Sequence, residues 1–410
     1  MSTHTENSQN SQNTQKNLDN YIISGWEDEN LNLSSNLLRG IYAFGFEKPS
    51  SIQCQTLVPM TSKKNRDIIA QAQSGTGKTG AFVISVLHKL CNANYEKLDN
   101  TFALILAPTH ELASQSMKVF SVISKFMKPE VRIELLVGGT SIEVSKNKLI
   151  KNKPHIVVGT PGRIQDMLRR RYLKVDKLNV IVIDEADEMF SSGFQEQVYK
   201  IFQYMPQEIQ IGLFSATMDN DLEELSKQFM VNPKKILVKS QELTLQGIAQ
   251  YFINVDDDMQ KYECLKDLFG SLTISQAIIY CNSTKRVDDL EEAMREDDFP
   301  VRKIHGKMRE DERKETYQEF KKGGCRVLIT SNLFARGIDV QQVSIVINFD
   351  IPKNEHTYLH RIGRSGRWGR KGVAINFQTK YDIEKLKKFE EFYSTEIKEM
   401  PANFAEHIKL

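Results

Sequence analysis

Two groups of residues in this chain have the types and spacing for phosphate chemistry. The first is Ala72-Gln-Ser-Gly-Thr-Gly-Lys-Thr79, set between the apolar run Asp67-Ile-Ile-Ala-Gln71 and the apolar stretch Ala81-Phe-Val-Ile-Ser-Val-Leu87. That setting predicts a turn between a buried strand and a helix, which is where a phosphate loop belongs. Ser74, Gly75, Thr76 and Gly77 form its body; the two glycines let backbone N–H groups curl around phosphate oxygens, and the helix start adds a favourable dipole. Lys78 can reach the outer phosphates, and the Thr79 hydroxyl can ligate Mg²⁺. The strict pattern has glycine where this chain has Ala72, so a glycine-rich helix start without a ligand is the alternative. The second group is Asp184-Glu-Ala-Asp187, which follows Val180-Ile-Val-Ile183. A continuous β-branched run reads as a buried parallel strand, and open α/β sheets place ligands at the C-terminal ends of such strands. Asp184 is then placed to hold Mg²⁺ opposite Thr79, and Glu185 to orient or deprotonate a water. An acidic helix start would look similar. Beside an independent phosphate loop, the pair points to nucleotide hydrolysis.

Such groups must be positioned by a sheet. Three further apolar runs in the first half and five in the second read as strands, and helical stretches such as Val287–Phe299 and Glu310–Phe320 lie between them. The pattern predicts an α/β fold of two tandem domains, each a mostly parallel sheet flanked by helices. The 410 residues, 40% of them apolar, are enough for two cores. Met1 to Asn20 has scarcely an apolar side chain and is expected to be a disordered tail. The first domain is expected over 21–238, a linker over 239–247 where apolar anchors are few, and the second domain over 248–410. The pattern loosens from about Pro233.

Composition excludes several classes. With 55 basic and 53 acidic residues the formal charge is +2, so a nucleic-acid site must be a local surface and not a global field. The five cysteines form no C-x-x-C pair and suit buried thiols in a reducing compartment better than a disulfide or zinc framework. There is no apolar run of membrane-spanning length and no apolar signal core, which points to a soluble, intracellular protein.

Other strand ends carry further candidates. Gln53, in Gly45-Phe-Glu-Lys-Pro-Ser-Ser-Ile-Gln53, offers a donor and an acceptor that match the N6/N7 edge of adenine, and Phe46 could stack on the base. Pro108-Thr109, Val137-Gly138-Gly139 and Gly159-Thr160-Pro-Gly-Arg163 combine small residues with a hydroxyl or a base, so backbone amides can approach a sugar-phosphate chain closely. Ser215-Ala-Thr217 places hydroxyls at another strand exit. In the second half, Arg361, Arg364 and Arg367 recur every three residues in His360-Arg-Ile-Gly-Arg-Ser-Gly-Arg367. If that segment is helical, they share roughly one face. A flexible Gly/Arg RNA-binding run is the alternative, but the strand that follows puts the segment inside the fold. Its arginines could then reach a γ-phosphate held by the first domain.

Together, in this order, these motifs resemble the DEAD-box RNA helicases from about Trp26 to the C-terminus. Leu37–Gln53, Ala335–Ser344 and Glu399-Met-Pro401 are most similar to the branch that works in translation initiation and at exon junctions. The resemblance implies two RecA-like domains that close on ATP, Mg²⁺ and single-stranded RNA or short duplexes, in a monomer, with initiation-scaffold or exon-junction proteins as partners. It makes Gln53 the adenine reader, with an aromatic supplied by Trp26, and Lys78, Thr79, Asp184 and Glu185 the hydrolytic set. Asp187, Ser215, Thr217 and His360 couple hydrolysis to strand separation; Gly337 and Asp339 lie near the ribose; Arg364 and Arg367 are arginine fingers. Pro108, Thr109, Gly138, Gly139, Thr160, Arg163, Arg313 and Thr330 line the RNA track. His110 stands where the family usually has Arg, Ser331-Asn332 replaces its Thr-Asp, and Glu310 replaces Gln of the similar branch. The activity expected is ATP-dependent unwinding of short RNA duplexes; an ATP-gated RNA clamp with slow turnover is the alternative.

Overall fold

The computed structural model describes residues 21–62, 65–72, 75–191, 193–218, 220–237, 248–271, 276–332, 343–365 and 372–401. The polar tail and the linker expected at 239–247 lie outside them. The chain forms two compact units, Met1–Val238 and Lys239–Leu410.

In the first unit the strands are β1 (Ile68–Gln71), β2 (Ala103–Leu106), β3 (Ile133–Leu136), β4 (Ile156–Gly159), β5 (Val180–Ile183), β6 (Gln210–Ser215) and β7 (Lys234–Leu237). They pair in the order β3-β4-β2-β5-β6-β1-β7, every pairing parallel. Because side chains alternate across a strand, Val180 and Val182 enter one core while Ile181 and Ile183 enter the other. Helices Ser35–Phe44, Ser51–Thr61, Lys78–Asn92 and His110–Ile123 cover the first face; helices Pro161–Arg169 and Gln195–Phe202 cover the second. Burial on both faces is why the central strands are apolar at every position.

The second unit holds β8 (Ile248–Asn254), β9 (Ala277–Tyr280), β10 (Val301–Ile304), β11 (Val327–Thr330), β12 (Ile345–Asn348), β13 (Gly372–Gln378) and β14 (Lys398–Glu399). Their order is β10-β11-β9-β12-β13-β8-β14, again all parallel. Matching strands by their sequence position within each unit reproduces the order of the first sheet. Both units are thus RecA-like sheets flanked by helices.

Four strands fall outside the sequence expectations. β3, β7 and β14 are sheet edges, and β8 lies next to one. Their sequences mix polar with apolar residues because one side or edge meets solvent. The loosening at Pro233 is in fact the approach to β7. All five cysteines are free. No described helix is long and apolar enough to cross a membrane.

Candidate active site

Strand β1 sits between β6 and β7, with Gln71 in register with Ser215, so its end delivers the chain to the C-terminal edge of the sheet, two strands from β5. There Gly75 and Gly77 adopt φ of 86° and 105°, a left-handed backbone that favours glycine, and Gly77 caps the helix Lys78–Asn92. Ala72 is not among the positive-φ residues, so its departure from the strict pattern imposes no strain. Lys78 is buried, and its Nζ donates to the Ala72 carbonyl at 2.7 Å. The same Nζ lies 3.8 Å from Glu185 Oε1. Thr79 occupies the first helical turn, half-buried. Ser74 is outside the described residues.

The carboxylates meet this loop from the end of β5, with β6 between. Asp184 N donates to Leu106 O at 2.9 Å, continuing the β2–β5 ladder, and Asp184 Oδ1 accepts from Glu185 N at 3.0 Å. Asp184 is 3% exposed, and burial, reinforced by Glu185, pushes its carboxyl well above the usual carboxylate range against the pull of Lys78. Glu185 has φ 49°, an uncommon conformation for a residue with a Cβ, and of the kind that gathers at functional sites. Behind them Thr217 Oγ1 donates to Asp187 Oδ2 at 2.9 Å, while Ser215 Oγ accepts from Asp187 N at 3.3 Å and from Thr217 N at 3.4 Å. Asp187, Ser215 and Thr217 are therefore one buried network. It joins the helix Ala186–Ser191 to the end of β6.

On the other side of the loop, Gln53 is 2% exposed. Its Oε1 accepts from Ser50 N at 2.8 Å and its Nε2 donates to Gly77 O at 3.1 Å. The amide thus ties the start of the helix Ser51–Thr61 to the phosphate loop itself. Phe46 packs beside it, and a Cβ built on Gly80 would lie 2.7 Å from the Phe46 ring and 2.5 Å from Gln53 Nε2. Trp26 is buried behind Phe46; its ring stacks at 6.3 Å, and its Nε1 donates to Phe46 O at 2.9 Å.

The proposed RNA contacts fall on the other half of the same sheet edge. Pro108 and Thr109 follow β2, Gly138 and Gly139 follow β3, and Thr160 and Arg163 follow β4, three neighbouring strands. Gly138 and Gly139 are exposed, and Gly139 has φ 82°. Thr109 caps the helix His110–Ile123 by accepting from Leu112 N at 3.3 Å. Thr160 N donates to Leu136 O at 3.0 Å, which ties β4 to β3 at this edge. Arg163 is already engaged, donating to Thr140 Oγ1 at 2.7 Å and Ser145 Oγ at 2.6 Å.

The second unit revises three expectations. Thr330 is wholly buried, its hydroxyl donating to Ile304 O at 2.7 Å and its carbonyl accepting from Cys281 N at 2.9 Å, so it offers no exposed atom to RNA. Arg361 and Arg364 do not share a helix face. The helix Glu355–Ile362 ends at its Gly363 cap, placing Arg364 in the following turn. Arg367, Gly337 and Asp339 lie outside the described residues. Arg361, which the sequence reading grouped with the arginines that could reach a γ-phosphate, is fully buried. It donates to Asn282, Asn332 and Asn348 side chains and to the Asp350 carbonyl. Its apolar neighbours Tyr358, Leu359 and Ile362, all buried, were the available signal. Arg364 and His360 are buried too, with Arg364 Nε donating to His360 O at 3.1 Å. Arg313 is half-buried on the helix Glu310–Lys321.

Comparison with known proteins agrees with this geometry. A family model described as DEAD/DEAH box helicase matches residues 50–225, and one described as helicase conserved C-terminal domain matches residues 260–369. Eukaryotic initiation factor 4A of Caenorhabditis elegans is 49% identical over 93% of this chain and 92% of its own length. ATP-dependent RNA helicase eIF4A of Pyricularia oryzae is 50% identical over 93% and 94%. Among solved structures, S. cerevisiae Dbp5 bound to RNA and ADP BeF3 matches with a TM-score of 0.82 at 34% identity, covering 90% of this chain and 94% of that one. Mss116p bound to ssRNA and AMP-PNP matches with a TM-score of 0.81 at 27% identity, covering 91% and 78%.

Proposed function

The chain belongs to the DEAD/DEAH box helicase family, and from that premise we propose how its residues divide the work of an ATP-dependent RNA helicase. The observation that carries the assignment is the buried cluster of Lys78, Asp184 and Glu185 beside a left-handed glycine loop. ATP and Mg²⁺ are its cofactors. Mg²⁺ favours one or two carboxylates plus phosphate oxygens over a full protein cage. Among the described residues no group of three or more metal-ligating side chains is found, whereas Asp184 is a desolvated carboxylate that gains from a nearby cation. Thr79 and Asp184 suit the ion, which when bound neutralises charge on the phosphates.

The protein groups then act as follows. Lys78 exchanges the Ala72 carbonyl for phosphate oxygens. Glu185 orients the attacking water, and burial keeps that water ordered. Gln53 releases Gly77 O and presents its amide to the adenine edge, with Phe46 against the base. Arg364 and Arg367 stabilise charge that develops on the γ-phosphate. Thr217 and Ser215 sense Asp187 and pass the state of the site to the edge of β6. RNA binds along the β3-β4-β2 edge through Thr109, Gly138, Gly139, Thr160 and Arg163, with Arg313 on the second unit. Contacts of this kind go to the sugar-phosphate chain and carry little sequence information.

The test is Lys78→Ala. Loss of the cation should abolish RNA-stimulated phosphate release from ATP, because both binding and charge stabilisation depend on it. Unchanged turnover in that variant would remove the nucleotide assignment. The names of the relatives further support work inside the cell in translation initiation. Affinity capture from native cells, scored for initiation-scaffold proteins, checks that part.

A further inference from the structure

The repeated strand order gives every position on the first sheet edge a counterpart on the second. β8 corresponds to β1 and β12 to β5. Lys261 stands as far beyond Asn254, the end of β8, as Lys78 stands beyond Gln71, the end of β1. Asp350 follows β12 much as Asp184 follows β5, and Asp350 N donates to Tyr280 O as Asp184 N donates to Leu106 O. The second unit therefore holds the frame of a nucleotide cleft. Its chemistry differs, because Asp256-Asp-Asp258 replaces the glycine loop and would repel phosphate.

Charges of the unit itself fill that frame. The Asp350 carboxylate accepts from Arg286 Nε at 2.7 Å, Arg286 Nη2 at 2.8 Å, Lys261 Nζ at 3.2 Å and Asn282 N at 3.0 Å. Arg286 also grips Asp258 at 2.8 Å and 2.9 Å. From this hub two contacts lead inward. The Asp350 carbonyl accepts from Arg361 Nη1 at 2.7 Å, and Asn282 Oδ1 accepts from Arg361 Nη2 at 2.8 Å. Arg361 closes the last turn of the helix Glu355–Ile362, and Arg364 N donates to Arg361 O at 3.1 Å. An unbroken path runs from Arg286, a third exposed, to the turn that carries Arg364.

We infer that this filled cleft is a strut and that Arg286, through Asp350 and Arg361, is a positioning residue for Arg364 in ATP hydrolysis. The inference rests on the assignment of Arg364 as an arginine finger. A bidentate guanidinium holds a carboxylate in one orientation, which a point charge does less well. Loosening that grip frees the turn and misplaces Arg364 without touching the phosphate loop, so it acts on turnover and not on binding.

The experiment measures RNA-stimulated ATP hydrolysis by the full chain with Arg286→Ala, Arg286→Lys, Arg364→Ala and the Arg286→Ala/Arg364→Ala double variant. Arg286→Ala should lower kcat about tenfold, with KM for ATP and affinity for single-stranded RNA within about twofold of the parent. Arg286→Lys should recover part of the loss. The double variant should be no slower than Arg364→Ala alone, because a residue that acts through another adds nothing once that other is gone. Losses that multiply, or an Arg286→Ala enzyme of parental kcat, would overturn the strut. If instead Arg364→Ala keeps full turnover, the finger assignment itself fails, a result distinct from either. Should Arg286→Ala fold poorly by its thermal melt, Arg286→Lys combined with Arg364→Ala gives the same cycle.

Discussion

Gln53 holds two hydrogen bonds, and its proposed adenine-reading role, which would rearrange them, is separable from hydrolysis. An amide that reads a base edge contributes ground-state specificity. Gln53→Ala should therefore erase most of the preference for ATP over GTP in KM while sparing turnover at saturation; a variant with its full preference intact would mean adenine is read elsewhere. The charge balance around Arg361 yields a second expectation. This guanidinium is fully buried, and its side-chain acceptors are the neutral amides Asn282, Asn332 and Asn348. Burial pulls its pKa down to about 10. Asn332 Oδ1 accepts from both Nε, at 3.0 Å, and Nη2, at 2.5 Å, where the family usually has a carboxylate. Asn332→Asp should convert this to a charge-assisted pair and stabilise the second unit by about 1–2 kcal/mol, part of the gain being offset by desolvation. A lower melting temperature in that variant would show that desolvation wins.

Strands and helices differ in how openly the sequence announces them. Val180-Ile-Val-Ile183 and Ile345-Val-Ile-Asn348 lie at sheet centres, apolar because both faces are covered, and their ends could be read directly. Lys234-Lys-Ile-Leu237 and Lys398-Glu399 lie at edges, where lysines and glutamate blunt an open ladder, and they read as loop. The phosphate loop and the carboxylates were legible for the same reason as the central strands: their chemistry is local in sequence. The surroundings of Arg361 were not, since they depend on partners brought together from three strand ends. The start of β4 supplies the element-scale prediction. His155 N donates to Arg132 O at 2.8 Å, its carbonyl accepts from Phe102 N at 2.8 Å, and its Nδ1 accepts from Arg132 N at 3.2 Å, pinning β2, β3 and β4 at their N-terminal ends. Burial, with Arg132 adding to it, lowers the His155 pKa to about 4. As pH falls below about 6.5, the unfolded chain takes up a proton that the folded chain refuses. Stability supplied by neutral His155 is thus complete above that pH and declines toward pH 4, by an amount of order 2 kcal/mol. Urea melts of His155→Gln should show a shallower decline across this window, and parallel declines would exclude the histidine as the cause.

At the scale of the whole chain, the proposed division of roles requires groups from both units for hydrolysis: Lys78, Asp184 and Glu185 from one and Arg364 from the other. We expect RNA and ATP to favour the same closed state and so to strengthen each other's binding by about 1–3 kcal/mol. Dyes on the two units should report high energy transfer only with both ligands present, and Glu185→Gln, which keeps ATP but slows the water step, should prolong that state. Transfer indifferent to ligands would mean that the units act as independent binding modules. Two sheets of one strand order in a single chain also speak of descent. A doubled ancestor would have begun with two glycine loops, and selection needed to preserve only one. The other was free to drift, so its lysine and aspartate, no longer answerable to a nucleotide, could be recruited as masonry.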